Sequence, residues 1–357
     1  MPSAVPQGMV LLVSALTAAL AGRRLISAAR RWGWASPNDA RRAGPGGVPV
    51  VGGLAVLIGL AAGRVAAAGL AGAFSVVSPI ARPAEEGVLA LLFCGFFGIG
   101  MLDDRRPLSP AIRLSGEGLL AAGCAWLLLA GGVEAALVSL PAGVSKALGT
   151  ALLALIVVCA ANAFNLADNS DGLAAGVGAM SCAGLALAGI APVVFLSAAG
   201  ALTGVWFLNR PPARLYLGDH GSLPLGGIAG LGSAALIGSC WEKGSGTAGL
   251  AAALLIAGYL CWDPVYALLG RVGEGRAPWV GGVDHPSHDL ARRAGRWPPV
   301  LSRLLLFQAI SVAAGVLTAL GRIPVWGAWL LLASWPGLML WCARASRRAR
   351  VDPHRAL

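Results

Sequence analysis

The chain has 357 residues, of which 57% are hydrophobic and only 12% charged, about half the charged fraction of a soluble globular domain. That balance excludes an ordinary soluble enzyme, and repeated apolar runs of about 20 residues predict an all-α, polytopic integral membrane protein, since lipid leaves few other ways to satisfy the backbone. The net charge of +11 would suggest nucleic acid as a partner of a soluble protein; in a membrane chain the position of the charges matters more than their sum, and the expected partner is the bilayer, with no nucleic acid.

Eleven spans are expected, roughly 7–22, 48–63, 87–102, 111–131, 146–163, 173–190, 191–208, 223–241, 248–270, 300–320 and 325–343. Ten result if 173–208 is continuous, because Pro192 is its only obvious divider. Residues 1–8 carry no basic side chain and Arg23 and Arg24 follow the first run, which favours an uncleaved first helix with its N-terminus outside. With that orientation 22 of the 27 basic residues fall on the cytoplasmic side, in or beside the loops after spans one, three, seven and nine and in the tail from Arg344 to Arg355. This positive-inside pattern supports the span count and the orientation; the expected location is the cell (cytoplasmic) membrane. Residues 1–357 read as one membrane-embedded domain. Its cytoplasmic loops lie at 23–47, 103–110, 164–172, 209–222 and 271–299, and residues 344–357 form a basic tail.

The conspicuous acids gather on that same face. Asp103 and Asp104 end the third span, Asp168 and Asp171 follow the fifth, Asp219 follows the seventh, and Asp284 lies after the ninth with His285 and His288. Carboxylates are hard oxygen ligands, and Mg²⁺ is usually held by one or two of them plus water and substrate phosphate. Each segment also has a plainer reading. Asp103-Asp104 can be a helix end with surface ion pairs. Asn162–Leu173 can be a polar turn. In Gly218-Asp219-His220-Gly221-Ser222, Asp219 or Ser222 can be an N-cap; alternatively the glycines let backbone approach a phosphate at a helix N-terminus. Asp284-His285-Pro286-Ser287-His288 can be a solvated loop or a phosphate or sugar contact, and no third histidine or cysteine stands near for zinc. The seven cysteines have neither zinc nor redox spacing and read as small core residues. Arginines around carboxylates suit a pyrophosphate substrate, and the membrane supplies a lipid. The residues therefore suggest phosphoryl transfer from a soluble donor to a lipid acceptor.

Taken in order, these segments resemble the polyprenyl-phosphate N-acetylhexosamine-1-phosphate transferases, glycosyltransferase family 4. The family includes the bacterial UDP-GlcNAc:undecaprenyl-phosphate GlcNAc-1-phosphate transferases and the translocase that makes lipid I. The likeness spans about residues 37–290: Pro37-Asn38-Asp39-Ala40-Arg41-Arg42 followed by Pro49-Val50-Val51-Gly52-Gly53; Gly100 to Glu117, with Arg113 in register and Glu117 where a Gln is common; Asn162 to Gly176; Leu217 to Leu223; and Asp263, Arg271, Gly275 and Pro278. The family's His-x-His-His reads His285-Pro286-Ser287-His288; neither this segment nor the short first loop looks like the lipid I translocase, and the serine bears on the sugar more than on the reaction.

The resemblance implies that Asp219 holds Mg²⁺, with Mn²⁺ as an alternative, and that Asp103 and Asp104 are acids at the reacting centre, Asp103 being the base that deprotonates the lipid phosphate. It implies that Asn165, Asp168 and Asp171 line the nucleotide site, that Tyr216 stacks on uracil, and that Arg271, His285 and His288 contact the sugar or diphosphate. The partners implied are a UDP-N-acetylhexosamine, above all UDP-GlcNAc, and undecaprenyl or decaprenyl phosphate; a homodimer is compatible with it. The product would be a polyprenyl-diphosphate-sugar, the first membrane step of a cell-envelope glycan. The alternative class, a transporter or lipid flippase, would place ionisable groups near the bilayer midplane, whereas only Asp263 and Glu117 lie well inside spans, both toward the cytoplasmic ends. A catalytically silent relative is a third reading, against which the retained acids argue.

Overall fold

The computed structural model describes residues 4–32, 47–74, 83–130, 144–277 and 281–338. The 37–42 motif, Pro278 and the 344–357 tail lie outside them. The described residues form thirteen α-helices and no strand. These are α1 (Ala4–Trp32), α2 (Gly52–Phe74), α3 (Pro83–Arg105), α4 (Pro110–Ala130), α5 (Lys146–Ala167), α6 (Leu173–Leu187) and α7 (Pro192–Asn209), then α8 (Asp219–Glu242), α9 (Gly246–Ala257), α10 (Tyr259–Gly273), α11 (Pro286–Ala294), α12 (Pro298–Ala319) and α13 (Val325–Leu332).

Each of the expected spans is helical over most of its described residues. Eight of the helices are long and apolar enough to cross a membrane, or nine when α9 and α10 count as one bent span; α6 and the segment beginning with α13 are shorter apolar helices. Chain 173–208 does divide at Pro192, which occupies the first turn of α7 after a left-handed Ala191. The ninth expected span is not straight. It bends by 78° at Gly258, whose φ of +49° suits a residue without Cβ. A break inside lipid must find new partners for its backbone, and α6 and α12 provide them. The Ile256 carbonyl accepts Ser181 Oγ at 2.8 Å and Gln308 Nε2 at 3.1 Å, while Gln308 Oε1 accepts the Tyr259 amide at 2.9 Å.

α8 is the most buried of the candidate spans and packs against α3, α5 and α9, with α1, α2 and α7 forming a second group beside it. Small residues allow close approach: a Cβ on Gly226 would stand 2.5 Å from the Ala160 carbonyl of α5, the small-residue contact expected between membrane helices. The α8 N-terminus, the C-terminal ends of α3 and α5 and the start of α4 therefore meet at one end of the bundle. The segment before α8 is tied there too. Gly52 and Gly53 donate to the Tyr216 and Leu217 carbonyls at 2.9 Å, and Tyr216 N–H donates to Pro49 O at 2.8 Å, so two motifs far apart in sequence lie side by side.

Candidate active site

Arg113, in the first turns of α4, is the hub of the site. Its Nη1 donates to Asp103 Oδ2 at 2.9 Å and to Asp219 Oδ2 at 3.3 Å, and its Nη2 donates to Asn162 Oδ1 at 2.9 Å. Its Nε lies 3.5 Å from Glu117, one turn further along α4. Glu117 is fully buried and also accepts from Asn162 Nδ2, which accounts for a carboxylate inside an apolar helix. Asn162 and Asn165 are three apart on α5 and so share a face. Asn165 Nδ2 donates to Asp219 Oδ1 at 2.8 Å and to Ser222 Oγ at 3.0 Å. Four helices thus converge on Asp219.

The two adjacent aspartates do different things. Asp103 Oδ1 accepts the Leu108 amide at 2.7 Å, fixing the α3–α4 turn, while its other oxygen faces Arg113. Asp104 instead accepts the Asp219 amide at 3.0 Å and the His220 amide at 3.1 Å, and also meets His220 Nδ1. The first amides of a helix have no partner within it, so Asp104 caps α8 from another helix. Gly100 makes that approach feasible: a Cβ there would lie 2.4 Å from the Asp219 carbonyl. His220 is buried, edge-on to Phe97.

Asp168 and Asp171 separate from Asn165. They line a small cleft with Ser170, Asn209 and Tyr216. Asp171 Oδ2 accepts the Ala213 amide at 2.9 Å, and its carbonyl accepts Trp297 Nε1 at 2.8 Å. The Tyr216 ring is buried with Val48 and Ala213.

The last predicted group forms a second polar cluster, on α10, α11 and the loop between them. Arg271 is 2% exposed and forks onto Asp284, Nε to Oδ2 and Nη2 to Oδ1, both at 3.0 Å. Arg276 reaches the same carboxylate at 2.6 Å. Burial works against the Asp284 charge, but the bonds from Arg271 and Arg276 prevail and hold its carboxyl well below the usual range. His285 is buried against Asp263, Nδ1 to Oδ2 at 2.8 Å; burial disfavours its charged form, yet Asp263 and Asp284 leave its pKa raised. Burial and then His285 lower that of His288. His288 Nε2 meets the Asn169 carbonyl at 3.2 Å, and its buried Nδ1 has no hydrogen-bond partner among the described residues. Ser287 Oγ donates to Asn169 Oδ1 at 2.7 Å, so the residue that departs from the family pattern fastens α11 to the α5–α6 turn.

One stretch therefore links the parts. Asn162 and Asn165 reach the Arg113 cluster, Asn169 and Ser170 reach α11, and Asp171 holds the segment before α8. Of the residues the sequence singles out, Asp103, Asn165 and Asp219 come together directly, with Asp104 behind them. Asp168, Asp171 and Tyr216 share a neighbouring cleft, and Arg271, His285 and His288 form the second cluster. Sequence reasoning gave no site role to Arg113, Asn162 or Glu117, nor to Ser222, Asn169 and the Tyr259–Asp263 pair, joined at 2.7 Å. A buried acid at 117, four residues after an arginine, was the available signal for the first three.

Asp103 and Asp219 direct two hard oxygen donors toward one position, now filled by a guanidinium nitrogen. That donor set fits a cation such as Mg²⁺ that takes its remaining ligands from phosphate and water. Among the described residues no group of three or more His, Cys, Asp or Glu side chains forms a protein-only metal site, so zinc of the all-protein kind does not fit.

A family model described as "Glycosyl transferase family 4" matches residues 87–239, which include the Arg113 cluster. Three proteins named phospho-N-acetylmuramoyl-pentapeptide-transferase are similar over longer stretches. That of Picosynechococcus sp. is 33% identical over 286 residues, covering 73% of this chain and 71% of the relative. That of Pelotomaculum thermopropionicum is 34% identical over 259 residues, covering 63% and 73%, and that of a Synechococcus sp. is 35% identical over 251 residues, covering 64% and 68%. Despite the serine at 287 and the short first loop, these are relatives of the kind that the motif comparison sets apart. The chain belongs to glycosyl transferase family 4, the polyprenyl-phosphate hexosamine-1-phosphate transferases.

Proposed function

We propose that this multi-pass protein of the cytoplasmic membrane transfers N-acetylhexosamine-1-phosphate from a UDP-sugar to a polyprenyl phosphate, with the reacting atoms at the Asp103–Arg113–Asp219 cluster. An oxygen of the lipid phosphate bonds to the β-phosphorus, the bond to the α-phosphate breaks, and UMP leaves. The observation that carries this reading is the convergence of Asp103 and Asp219 on one Arg113 nitrogen.

Asp219 would hold Mg²⁺ or Mn²⁺, with Asp103 beside it; the ion would supply charge neutralisation at the diphosphate. Arg113 positions both carboxylates and offsets repulsion between two anionic substrates. Asp103 takes the proton of the lipid phosphate. Asn165 orients Asp219. Asp104 positions the α8 N-terminus, whose dipole favours the donor's phosphates. The cleft of Asp168, Asp171 and Tyr216 receives the uridine end, and His288, supported by His285 and Arg271, faces the sugar.

Two donors compete. The motif comparison, which sets the 285–288 segment and the short first loop apart from the lipid I translocase, supports UDP-GlcNAc, whereas the names of the relatives support a UDP-N-acetylmuramoyl-pentapeptide. UMP release by purified protein with undecaprenyl phosphate, Mg²⁺ and each donor in turn distinguishes them. Turnover with UDP-GlcNAc alone supports the first and with the muramoyl-pentapeptide alone the second; no turnover with any UDP-N-acetylhexosamine refutes the proposal.

A further inference from the structure

Arg113 stands where the candidate cation would. Its Nη1 lies 2.9 Å from Asp103 Oδ2 and 3.3 Å from Asp219 Oδ2, so a guanidinium and a divalent ion repel each other strongly if both face those two oxygens. The arginine needs a second resting place, and one atom of the cluster offers it. Each oxygen of Asp103 and Asp219 has a donor: Asp103 accepts from the Leu108 amide and Arg113, and Asp219 from Asn165 and Arg113. Glu117 is different. It is fully buried, its Oε2 accepts from Asn162, and its Oε1 has no hydrogen-bond partner among the described residues. A buried acceptor left without a donor is costly, more so on a carboxylate. That oxygen lies 3.5 Å from Arg113 Nε, within ion-pair reach but without a hydrogen bond. Residues four apart on a helix face one another, and Arg113 keeps 23% side-chain exposure, which leaves it room to turn. The charges agree. When ionised, Asp103, Glu117 and Asp219 are three carboxylates around one guanidinium; the two negative charges in excess match one divalent cation.

We propose that Glu117 is a positioning residue for the cation site, and that Arg113 yields its place between Asp103 and Asp219 by moving onto Glu117. The proposal rests on the cation assigned to Asp219 in the transferase reading. The structure holds the arginine in one of its two positions, and the orphaned Oε1 marks the other. Asn162 serves as the pivot. Its Nδ2 donates to Glu117 and its Oδ1 accepts Arg113 Nη2 at 2.9 Å, a contact that the guanidinium can keep while Nη1 leaves the aspartates. In the second position Arg113 still sets a positive charge beside the reacting groups. A glutamine at 117 would offer an oxygen but no charge, a weaker receiver for a guanidinium.

The test is Mn²⁺ binding, by electron paramagnetic resonance, to the full-length protein in detergent without substrates, counting only the Mn²⁺ that Asp219→Asn removes. E117Q should bind about tenfold more weakly than wild type, because Arg113 then stays on the two aspartates. R113Q should bind at least as tightly as wild type. In that background E117Q should matter by about threefold or less, since no guanidinium is left to receive. A glutamate that acted on the ion by its charge alone, or that only held the fold, would cost the same with or without Arg113. E117D, which keeps the charge, should bind more tightly than E117Q, a comparison that does not require the Arg113 variants to fold. Wild-type affinity in E117Q, E117D no tighter than E117Q, or an equal E117Q loss in both backgrounds overturns the proposal and leaves the transferase reading intact. Absence of Asp219-dependent Mn²⁺ from both wild type and R113Q removes the cation's place itself, and overturns both.

Discussion

Asp104 and Asp103 are adjacent, yet the structure predicts different consequences for their removal. Asp104→Ala takes the acceptor from the Asp219 and His220 amides, at 3.0 and 3.1 Å, and from His220 Nδ1. Replacing an N-cap acceptor by alanine costs about 1 kcal/mol and at most about 2. Hydrogen bonds to a charged group run higher, about 1.5–3 kcal/mol, but Asp104 keeps 17% side-chain exposure and water replaces part of the loss. A cost of about 2 kcal/mol follows, a fall in melting temperature of roughly 3 °C for a chain of 357 residues. Asp104→Asn retains one acceptor oxygen and should lose about half as much. Heating the detergent-purified variants with a thiol-reactive fluorophore reads unfolding through the buried Cys124, Cys182 and Cys240. Asp104→Asn should also keep measurable transfer activity if the residue's part is to position Asp219 through the α8 amides. A variant Asp104→Ala that melts with wild type, or an Asp104→Asn that melts normally and is inactive, would refute the capping role and return Asp104 to the reacting atoms.

Other outcomes follow from the same contacts. Gly100→Ala places a Cβ 2.4 Å from the Asp219 backbone, where no flexible atom can yield; overpacking of this kind costs about 1–3 kcal/mol and should lower both melting temperature and turnover. Ser287→Ala should cost about 1 kcal/mol through the lost bond to Asn169. Ser287→His, although it restores the family residue, should destabilise more, because Ser287 is fully buried; the same melting assay ranks the two. His285 has a raised pKa in the fold, so its protonation contributes stability that is complete below about pH 6.5 and is lost as pH rises through the raised value. His288, lowered, acts oppositely, costing stability as pH falls through about 6.5. His285→Gln should therefore remove the decline on the alkaline side, and a melting profile from pH 5.5 to 8.5 that is unchanged by this substitution would contradict the pairing with Asp263.

Much of this was legible in the sequence because membranes impose simple rules. The apolar runs give the helices and the division at Pro192. Asp103, Asp104 and Asp219 do meet, as their common position after odd-numbered spans suggests, whereas Asp168, Asp171 and Asp284 settle in neighbouring clusters. What was not legible depended on pairings between distant segments. Nothing in Asp103-Asp104 says that one faces Arg113 and the other caps α8. Asn165, three residues before Asp168, falls on the Asp219 side because α5 ends between them, with Asp168 as its C-cap. Arg271 reads as a substrate contact until Asp284 folds back onto it. α11 had a local signature, Pro286 at its start and Gly295 just past its end, masked by the charge of its arginines. The bend at Gly258 was hidden because both halves are equally apolar, and only the partners on α6 and α12 make it tolerable.

The central claim is that Asp219, held by Arg113 and Asn165, is where the donor's diphosphate is bound for transfer. The direct measurement is UMP release from a UDP-N-acetylhexosamine and undecaprenyl phosphate, across a Mg²⁺ titration, by wild type and Asp219→Asn purified side by side. The account predicts Mg²⁺-dependent release by wild type, and loss of release by at least about a hundredfold in a variant that melts within a few degrees of it. An Asp219→Asn protein that releases UMP at the wild-type rate with the same Mg²⁺ dependence would contradict it.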